Sequence, residues 1–252
     1  MSDLPESVFL NPVWHSLRGP HRQLAIDGGD ACRYPADVTP FAALAEPSAA
    51  AVWQLLQLLE PDDPVWIIDA GTPRVPEIIY QGSLLCLQMV LSPRAALHAP
   101  AGPGIEIVPL GAANAAEMVA LTDVAFPGFF RSATYKMGAY FGVRAADGLL
   151  IAMAGERLRL EGYPEMSGIC THPAHRGKGL ARQLIVHLAA LHRNQGLVSW
   201  LQVSATNANA IALYHGVGFE TARSVMLQRI SRAGHPKHED HTKRADHTKR
   251  AA

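Results

Sequence analysis

The chain has 252 residues, of which 48% are hydrophobic and 17% are charged, a balance typical of soluble globular proteins. Lysine plus arginine and aspartate plus glutamate number 22 each, so no net charge favours binding to nucleic acid or to a membrane, and any anion site has to be local. The three cysteines are scattered, and no leader segment or long apolar run is found, which predicts a cytoplasmic protein without a disulfide framework.

The first hundred residues predict a small α/β lobe. Residues 1–47 are rich in proline, glycine and aspartate, which favours loops and short helices. Ser48 is placed to cap a helix, and strands are predicted at 65–68 and 84–91. A linker rich in alanine, proline and glycine follows at 93–104 and predicts a domain boundary.

The second half predicts a mixed α+β domain with a central, mostly antiparallel sheet flanked by helices. Strands are predicted at 105–108, 140–144, 149–158, 166–171, 198–203 and 225–230, with Phe219 in a closing strand as well, and helices at 114–124, 180–196 and 207–216. We therefore expect an N-terminal lobe over 1–100 and a second domain over 101–232. The tail, 233–252, repeats the sequence Asp-His-Thr-Lys-Arg-Ala and is predicted to be disordered.

A glycine-rich turn between a predicted strand and a predicted helix is the strongest functional signal. Gly177 and Gly179 lack a Cβ, so the backbone can approach a ligand closely, and the N–H groups of the first helical turn point at that ligand. A Walker A loop is excluded because Lys178 is followed by glycine, and a dinucleotide fingerprint is excluded because Arg182 stands at its third glycine position. The turn still predicts a site for a phosphate or a pyrophosphate.

Two motifs carry a resemblance to a known superfamily. Arg176-x-x-Gly179-x-Ala181 resembles the acyl-CoA pyrophosphate loop of the GNAT superfamily of N-acetyltransferases. The run from Asn207 to Phe219 resembles the superfamily's Asn-x-x-Ala-x-x-Leu-Tyr-x-x-x-Gly-Phe signature. Residues 141–229 are similar to the branch that also contains the C-terminal domain of glycine N-acyltransferase-like proteins.

The resemblance implies a GNAT fold, acetyl-CoA as cosubstrate and a small primary amine as acceptor. The N-terminal lobe would then be a degenerate repeat of the same fold, a lid or a dimer interface, and a homodimer is one expectation. Cofactor-binding positions implied by the resemblance are Ile169, Thr171, Arg176, Gly177, Lys178, Gly179, Leu180, Ala181, Arg182 and Asn207. Tyr214 would protonate the departing sulfur, and Glu165 would be the general base.

Alternatives remain open for the two catalytic positions. Glu156 is a rival base, and either glutamate could instead pair with Arg157 or Arg159. A period of two along the strand would place Glu165 on the same face as Ile169 and Thr171, opposite Cys170, which favours a core role for that cysteine. Tyr214 could simply pack its helix against the sheet, and Asn207 could simply cap that helix.

Neither a metal site nor a specific acceptor follows from the sequence. Cys170, His172 and His175 have suitable side chains, but no second pair completes a tetrahedral site, so we expect no metal. The acceptor would be selected by the segment 126–137, where Phe129, Phe130 and Tyr135 could line a pocket or fill the core. Two other functions remain possible: a CoA-binding module without turnover, and a transferase for a larger acyl group.

Overall fold

The computed structural model describes residues 6–61, 63–69, 71–98 and 105–233. Its strands are β1 (Ile26–Asp27), β2 (Ala31–Arg33), β3 (Ala42–Leu44), β4 (Val65–Ile68), β5 (Ile78–Leu91), β6 (Val108–Leu110), β7 (Tyr140–Arg144), β8 (Leu150–Leu160), β9 (Tyr163–Thr171), β10 (Trp200–Ser204) and β11 (Phe219–Arg232). Its α-helices are α1 (Glu6–Leu10), α2 (Pro12–Arg18), α3 (Ala49–Leu58), α4 (Ala115–Ala125), α5 (Leu180–Asn194) and α6 (Ala208–Val217).

Eight strands form the central sheet in the order β4-β11-β5-β10-β9-β8-β7-β6. Strands β9 and β10 run parallel, joined by helix α5, and the other neighbouring pairs run antiparallel. The predicted mixed, mostly antiparallel sheet flanked by helices is therefore confirmed. Strands β1, β2 and β3 form a separate small sheet that the sequence did not predict.

Local signals explain where the helices begin and end. The Ser48 hydroxyl accepts the N–H of Ala51 at 3.1 Å, and the Asn207 side chain accepts the N–H of Ala210 at 3.2 Å, so both predicted caps are formed. Helix α5 buries a stripe that includes Leu184 and Leu188 against the sheet. It ends just before Gly196, whose φ of 73° is the left-handed conformation that terminates helices.

The central sheet also contains strands from the region predicted as an N-terminal lobe. Strand β5 lies between β10 and β11 and pairs with both, and β4 forms the edge beyond β11. The sequence predicts a separate lobe here, whereas residues 65–91 complete the sheet of the following domain. Periodicity indicates that a segment is a strand, but it does not name the strand's partner. Part of the predicted linker (99–104) and the predicted disordered tail from residue 234 lie outside the described residues.

Several predicted strand boundaries differ from the observed ones, those of β6 and β11 among them. The strand predicted at 105–108 is observed as β6, which begins at Val108 and pairs with β7. The two closing strands form one long strand, β11, with register shifts at Thr221/Arg223 and Arg229/Ile230. These irregularities interrupt the apolar alternation that would have indicated one strand.

A β-bulge at Gly168 interrupts β9. Met153 pairs with Cys170 and Gly155 pairs with Ser167, so β9 carries one more residue than β8 over this stretch. Gly168 has a φ of 62°, in the left-handed region that glycine occupies without strain. The bulge therefore bends β9 just before the glycine-rich turn.

The bulge also reverses the alternation of side chains along β9. Met166 and Ile169 both pack in the cluster under α5, while Cys170 belongs to the cluster under α4. Glu165, next to Met166, therefore lies on the same face as Cys170. The prediction that Glu165 shares a face with Ile169 and Thr171 is wrong. The reason is that a period of two holds only in an uninterrupted strand.

Candidate functional site

A gap between two parallel strands is the centre of the site. Strands β9 and β10 pair only at Glu165 with Trp200 and at Met166 with Leu201, although both continue beyond these residues. The separation opens a pocket of about 820 Å³. Its wall includes residues 166–171 of β9, 202–204 of β10 and part of α6.

The exposed edge of β9 offers unpaired main-chain groups to this pocket. The His172 N–H donates to the Ile151 carbonyl of β8 at 2.8 Å. Because N–H groups alternate along an extended strand, that of Thr171 points away from β8, toward the gap, and Ile169, in the bulge next to Gly168, also lines the pocket. An extended ligand that carries amide groups could pair with this edge as a further strand would.

The glycine-rich turn closes one end of the pocket. Gly177 and Gly179 have φ values of 78° and 73°, which other residues rarely adopt, and a Cβ on either would meet no atom within 4 Å. The first intrahelical bond of α5 runs from the Gln183 N–H to the Gly179 carbonyl at 3.1 Å. The N–H groups of residues 180–182 precede that bond, and these residues line the pocket. The free N–H groups of the turn can therefore accept an anion as a hydrogen-bonding partner.

The basic side chains at the turn have different surroundings. Arg176 and Lys178 are exposed and line the pocket, where they can meet a negatively charged ligand. The Arg182 guanidinium donates to the Gly216 carbonyl at 2.9 Å, which ties α5 to α6. This contact uses one of the five N–H groups of the guanidinium, and the predicted anion contact of Arg182 stays a prediction.

Tyr214 and Asn207, both on or next to α6, also line the pocket. Burial raises the pKa of the Tyr214 phenol to about 12, so the group is protonated at neutral pH and can donate a proton. The Asn207 side chain caps α6, as noted above, and its amide nitrogen remains available to a ligand. The turn, the strand edge and Tyr214 therefore come together in one pocket.

Glu165 has surroundings that do not suit a general base. Its side chain is 0% exposed, and it is not among the described residues that line the pocket. It accepts from Arg157 Nε at 2.9 Å, Arg157 Nη2 at 2.6 Å, the Leu158 N–H at 3.1 Å and Gln202 Nε2 at 3.0 Å. These donors occupy the roughly four lone-pair positions of a carboxylate. The alternative in which Glu165 pairs with Arg157 is the one observed.

The rival base Glu156 faces the other side of the sheet. Its Oε1 lies 3.1 Å from His192 Nε2, and His192 Nδ1 lies 2.8 Å from the Ser199 hydroxyl. All three residues are buried, and none is among the described residues that line the pocket. Glu156 is therefore not placed to reach a substrate in the pocket.

The pocket continues to the other face of the sheet through a wall that is mostly apolar. This part is lined by Phe41, Leu84, Cys86, Phe126, Phe129, Arg157 and Leu227. Phe129 stacks on Trp66 at 5.6 Å and on Phe41 at 6.1 Å between ring centroids, so the rings support one another. Phe130 instead packs against Tyr140 in the core. The wall thus combines residues from distant parts of the chain.

Arg157 is the charged residue of this wall, and the sequence reasoning did not assign it to the site. Burial alone would lower the pKa of its guanidinium, but the Glu165 carboxylate more than offsets this and the pKa is raised. Its guanidinium carbon lies 4.8 Å from the centroid of the Phe41 ring. The sequence contained one signal for it, since Arg157 lies within an apolar strand and a charged residue in such a strand needs a buried partner.

Two further features bear on the expectations from sequence. Burial raises the pKa of the Cys170 thiol to about 12, so it is not a thiolate at neutral pH. Over the part of the chain that the structure describes, no group of three or more metal-binding side chains is found. Over the same residues, no helix is both long and apolar enough to span a bilayer.

Comparison with known proteins gives a consistent result. The family model described as FR47-like protein matches residues 140–227. A crystal structure assigned to the GNAT family of acetyltransferases, from Novosphingobium aromaticivorans, is 35% identical with a TM-score of 0.80 and covers 90% of this chain and 99% of that chain. A GCN5-related N-acetyltransferase from Kribbella flavida, 17% identical, has a TM-score of 0.59 over 88% of this chain and 95% of its own, which shows a likeness of fold alone.

Curated relatives match only in part. Ribosomal protein bS18-alanine N-acetyltransferase from Salmonella typhimurium is 44% identical over 78 residues, which are 31% of this chain and 52% of that protein. The chain covers 26% of the length of a second curated relative, from Mycobacterium leprae. None of the relatives described here belongs by its name to the glycine N-acyltransferase-like branch, so that assignment stays a prediction.

Proposed function

Because the chain belongs to the GNAT family of acetyltransferases, we propose that it transfers the acetyl group of acetyl-CoA to a primary amine of a small molecule, amino acid or peptide. One observation carries the proposal: the gap between β9 and β10 ends on the glycine-rich turn and contains Tyr214. A phosphate site, an open strand edge and a proton donor are the three features that a CoA thioester requires.

The residues present fit each part of acetyl-CoA. The N–H groups of residues 177–182, with the side chains of Arg176 and Lys178, would hold the phosphates. The main-chain groups of Ile169 and Thr171 would pair with the amides of the pantetheine arm, with Asn207 beside it. This arrangement directs the thioester toward Tyr214 and the apolar part of the pocket.

The proposed reaction is direct attack by the amine in a ternary complex. The amine nitrogen bonds to the thioester carbon, the carbon–sulfur bond breaks, and the carbonyl oxygen carries negative charge in between. N–H groups on the gap side of β9 can stabilise that charge. The phenol of Tyr214 donates its proton to the departing sulfur and is then reprotonated from water.

The amine must lose a proton, and no titratable carboxylate is placed to take it among the described pocket residues. An alkylamine with a free pKa near ~10 is mostly protonated at neutral pH, so in this proposal one proton passes to water in the pocket before attack. A second proton leaves the nitrogen for water once the bond to carbon has formed. Glu165, predicted from sequence as the base, enters this proposal as the residue that positions Arg157.

Binding and turnover test the proposed function with the purified full chain. Titration calorimetry with acetyl-CoA should give saturable binding, and a panel of primary amines should release free thiol. Binding without thiol release for every amine would instead support a CoA-binding module. Faster release from longer-chain thioesters would indicate a different acyl group, and an absence of CoA binding would contradict the proposal.

A further inference from the structure

The wall of the pocket contains two polar side chains whose hydrogen-bonding capacity is only partly used. We infer that Arg157 and Gln202 form an acceptor subsite for an α-amino carbonyl group, so that the acceptor is an amino acid or a peptide N-terminus with an apolar side chain. The inference rests on the proposed function and deepens it by naming the acceptor class.

Arg157 supplies the donors of this subsite. A guanidinium has five N–H groups, and two of them, on Nε and Nη2, bind Glu165. Within the described part of the chain, the remaining N–H groups, including both on Nη1, donate to no protein atom. Arg157 lines the pocket, so these donors are available to an oxygen of a bound acceptor.

Gln202 supplies the complementary hydrogen-bond acceptor. Its Nε2 donates to Glu165, and its Oε1 is a buried atom with no hydrogen-bond partner among the residues described. Leaving such an oxygen unpaired costs about 1–3 kcal/mol. Gln202 lines the same pocket, and an amine N–H of a bound acceptor would satisfy this oxygen.

Glu165 brings the two side chains together. Its Oε1 lies 2.6 Å from Arg157 Nη2 and 3.0 Å from Gln202 Nε2, so both are fixed by one oxygen atom. The free donors of Arg157 and the free Oε1 of Gln202 therefore lie in one neighbourhood. An α-amino carbonyl group has the matching pattern: a nitrogen that donates and, three bonds away, an oxygen that accepts.

The surrounding wall selects the rest of the acceptor. Phe41, Phe129 and Leu227 are apolar, and their pocket surface would be covered by an aliphatic or aromatic side chain. The ion pair of Arg157 with Glu165 adds no net charge. An acceptor carbonyl is therefore bound without the cost of an uncompensated buried charge.

The experiment compares two amines that differ in the carbonyl group. Phenylalaninamide has the carbonyl group and phenethylamine lacks it. Because the carbonyl lowers the pKa of the neighbouring amine, kcat/KM for each substrate is calculated from pH profiles for the unprotonated amine. The ratio of the phenylalaninamide value to the phenethylamine value is measured in three proteins. These are the wild type, an Arg157→Met/Glu165→Gln double variant that leaves no buried charge, and Arg157→Lys. Arg159→Met is the matched control, since Arg159 is not among the described pocket residues.

We expect the ratio to fall by about tenfold or more in the double variant, the size expected when a charged hydrogen-bond donor is lost, and to stay unchanged in Arg159→Met. If the double variant does not fold, Arg157→Lys takes its place and should lower the same ratio. Gln202→Met should lower it as well. An unchanged ratio in every pocket variant would overturn the inference. An absence of thiol release with all amines would contradict the proposed function itself. A comparison of kcat/KM for phenylalanine and for a peptide that begins with phenylalanine then shows whether the acceptor is a free amino acid or a peptide N-terminus.

Discussion

Replacing Gly179 with alanine should weaken acetyl-CoA binding at a modest cost to the fold. Gly179 has a φ of 73°, a conformation that costs an L-residue about 1–2 kcal/mol, while its added Cβ would meet no protein atom within 4 Å. We therefore expect a loss of about 1–2 kcal/mol in unfolding free energy and a fall in Tm of roughly 2–8 °C. The new methyl group would occupy the space in which the phosphates are proposed to bind.

The expected loss of affinity follows from the main-chain donors of the turn. Displacing a phosphate from one such donor forfeits a hydrogen bond to a charged group, which is worth about 1.5–3 kcal/mol and corresponds to a dissociation constant about 10- to 100-fold higher. Titration calorimetry with acetyl-CoA measures this constant, and thermal unfolding of the unliganded protein measures the cost to the fold.

Gly196→Ala is a matched control at the other end of the same helix. Gly196 also has a φ of 73° and open space around its missing Cβ, but it is not among the described pocket residues. The two variants should lose similar stability, and only Gly179→Ala should lose affinity. Equal affinities in the two variants would refute the assignment of the turn as the phosphate site.

Four other expectations follow. Tyr214→Phe should lower kcat by about 10²–10⁴-fold with little change in acetyl-CoA affinity, and unchanged turnover would remove the phenol from the mechanism. Glu165→Gln should cost about 3–5 kcal/mol of stability because it leaves Arg157 buried without its carboxylate. Its pH-rate profile should keep the wild-type shape, and loss of the acidic limb, where the rate rises as a base deprotonates, would restore Glu165 as the base. Arg182→Met should lower stability by about 1 kcal/mol through the lost contact with Gly216, whereas a large loss of CoA affinity would show that its side chain binds phosphate. As pH rises from about 10 toward 12, the unfolding free energy of the wild type should fall more steeply than that of Tyr214→Phe, because burial raises the pKa of the Tyr214 phenol to about 12 and the phenol ionises more easily in the unfolded chain. Equal slopes in alkaline urea titrations would contradict its burial.

The conformation of the glycine-rich turn could be predicted because its determinants are local. Two glycines, a preceding strand and a following amphipathic helix lie within about twenty residues, and backbone conformation alone makes the site. Ser48 and Asn207 were predicted as caps for the same reason, since a cap needs only the next three residues.

The acceptor side of the pocket could not be predicted because it depends on contacts between distant residues. Phe41, Cys86 and Arg157 are far apart in the sequence, and they lie in one wall because β5 occupies the centre of the sheet. The role predicted for Glu165 rested on a motif and on strand alternation. Neither of these indicates the bulge at Gly168 or the donors that surround the carboxylate.

A crystal structure of the protein with acetyl-CoA tests the central claim most directly. We expect the diphosphate on the N–H groups of residues 177–182 and the pantetheine arm in the gap between β9 and β10, with its sulfur beside the Tyr214 hydroxyl. A cofactor bound outside this gap, or a diphosphate that does not contact the turn, would contradict the account.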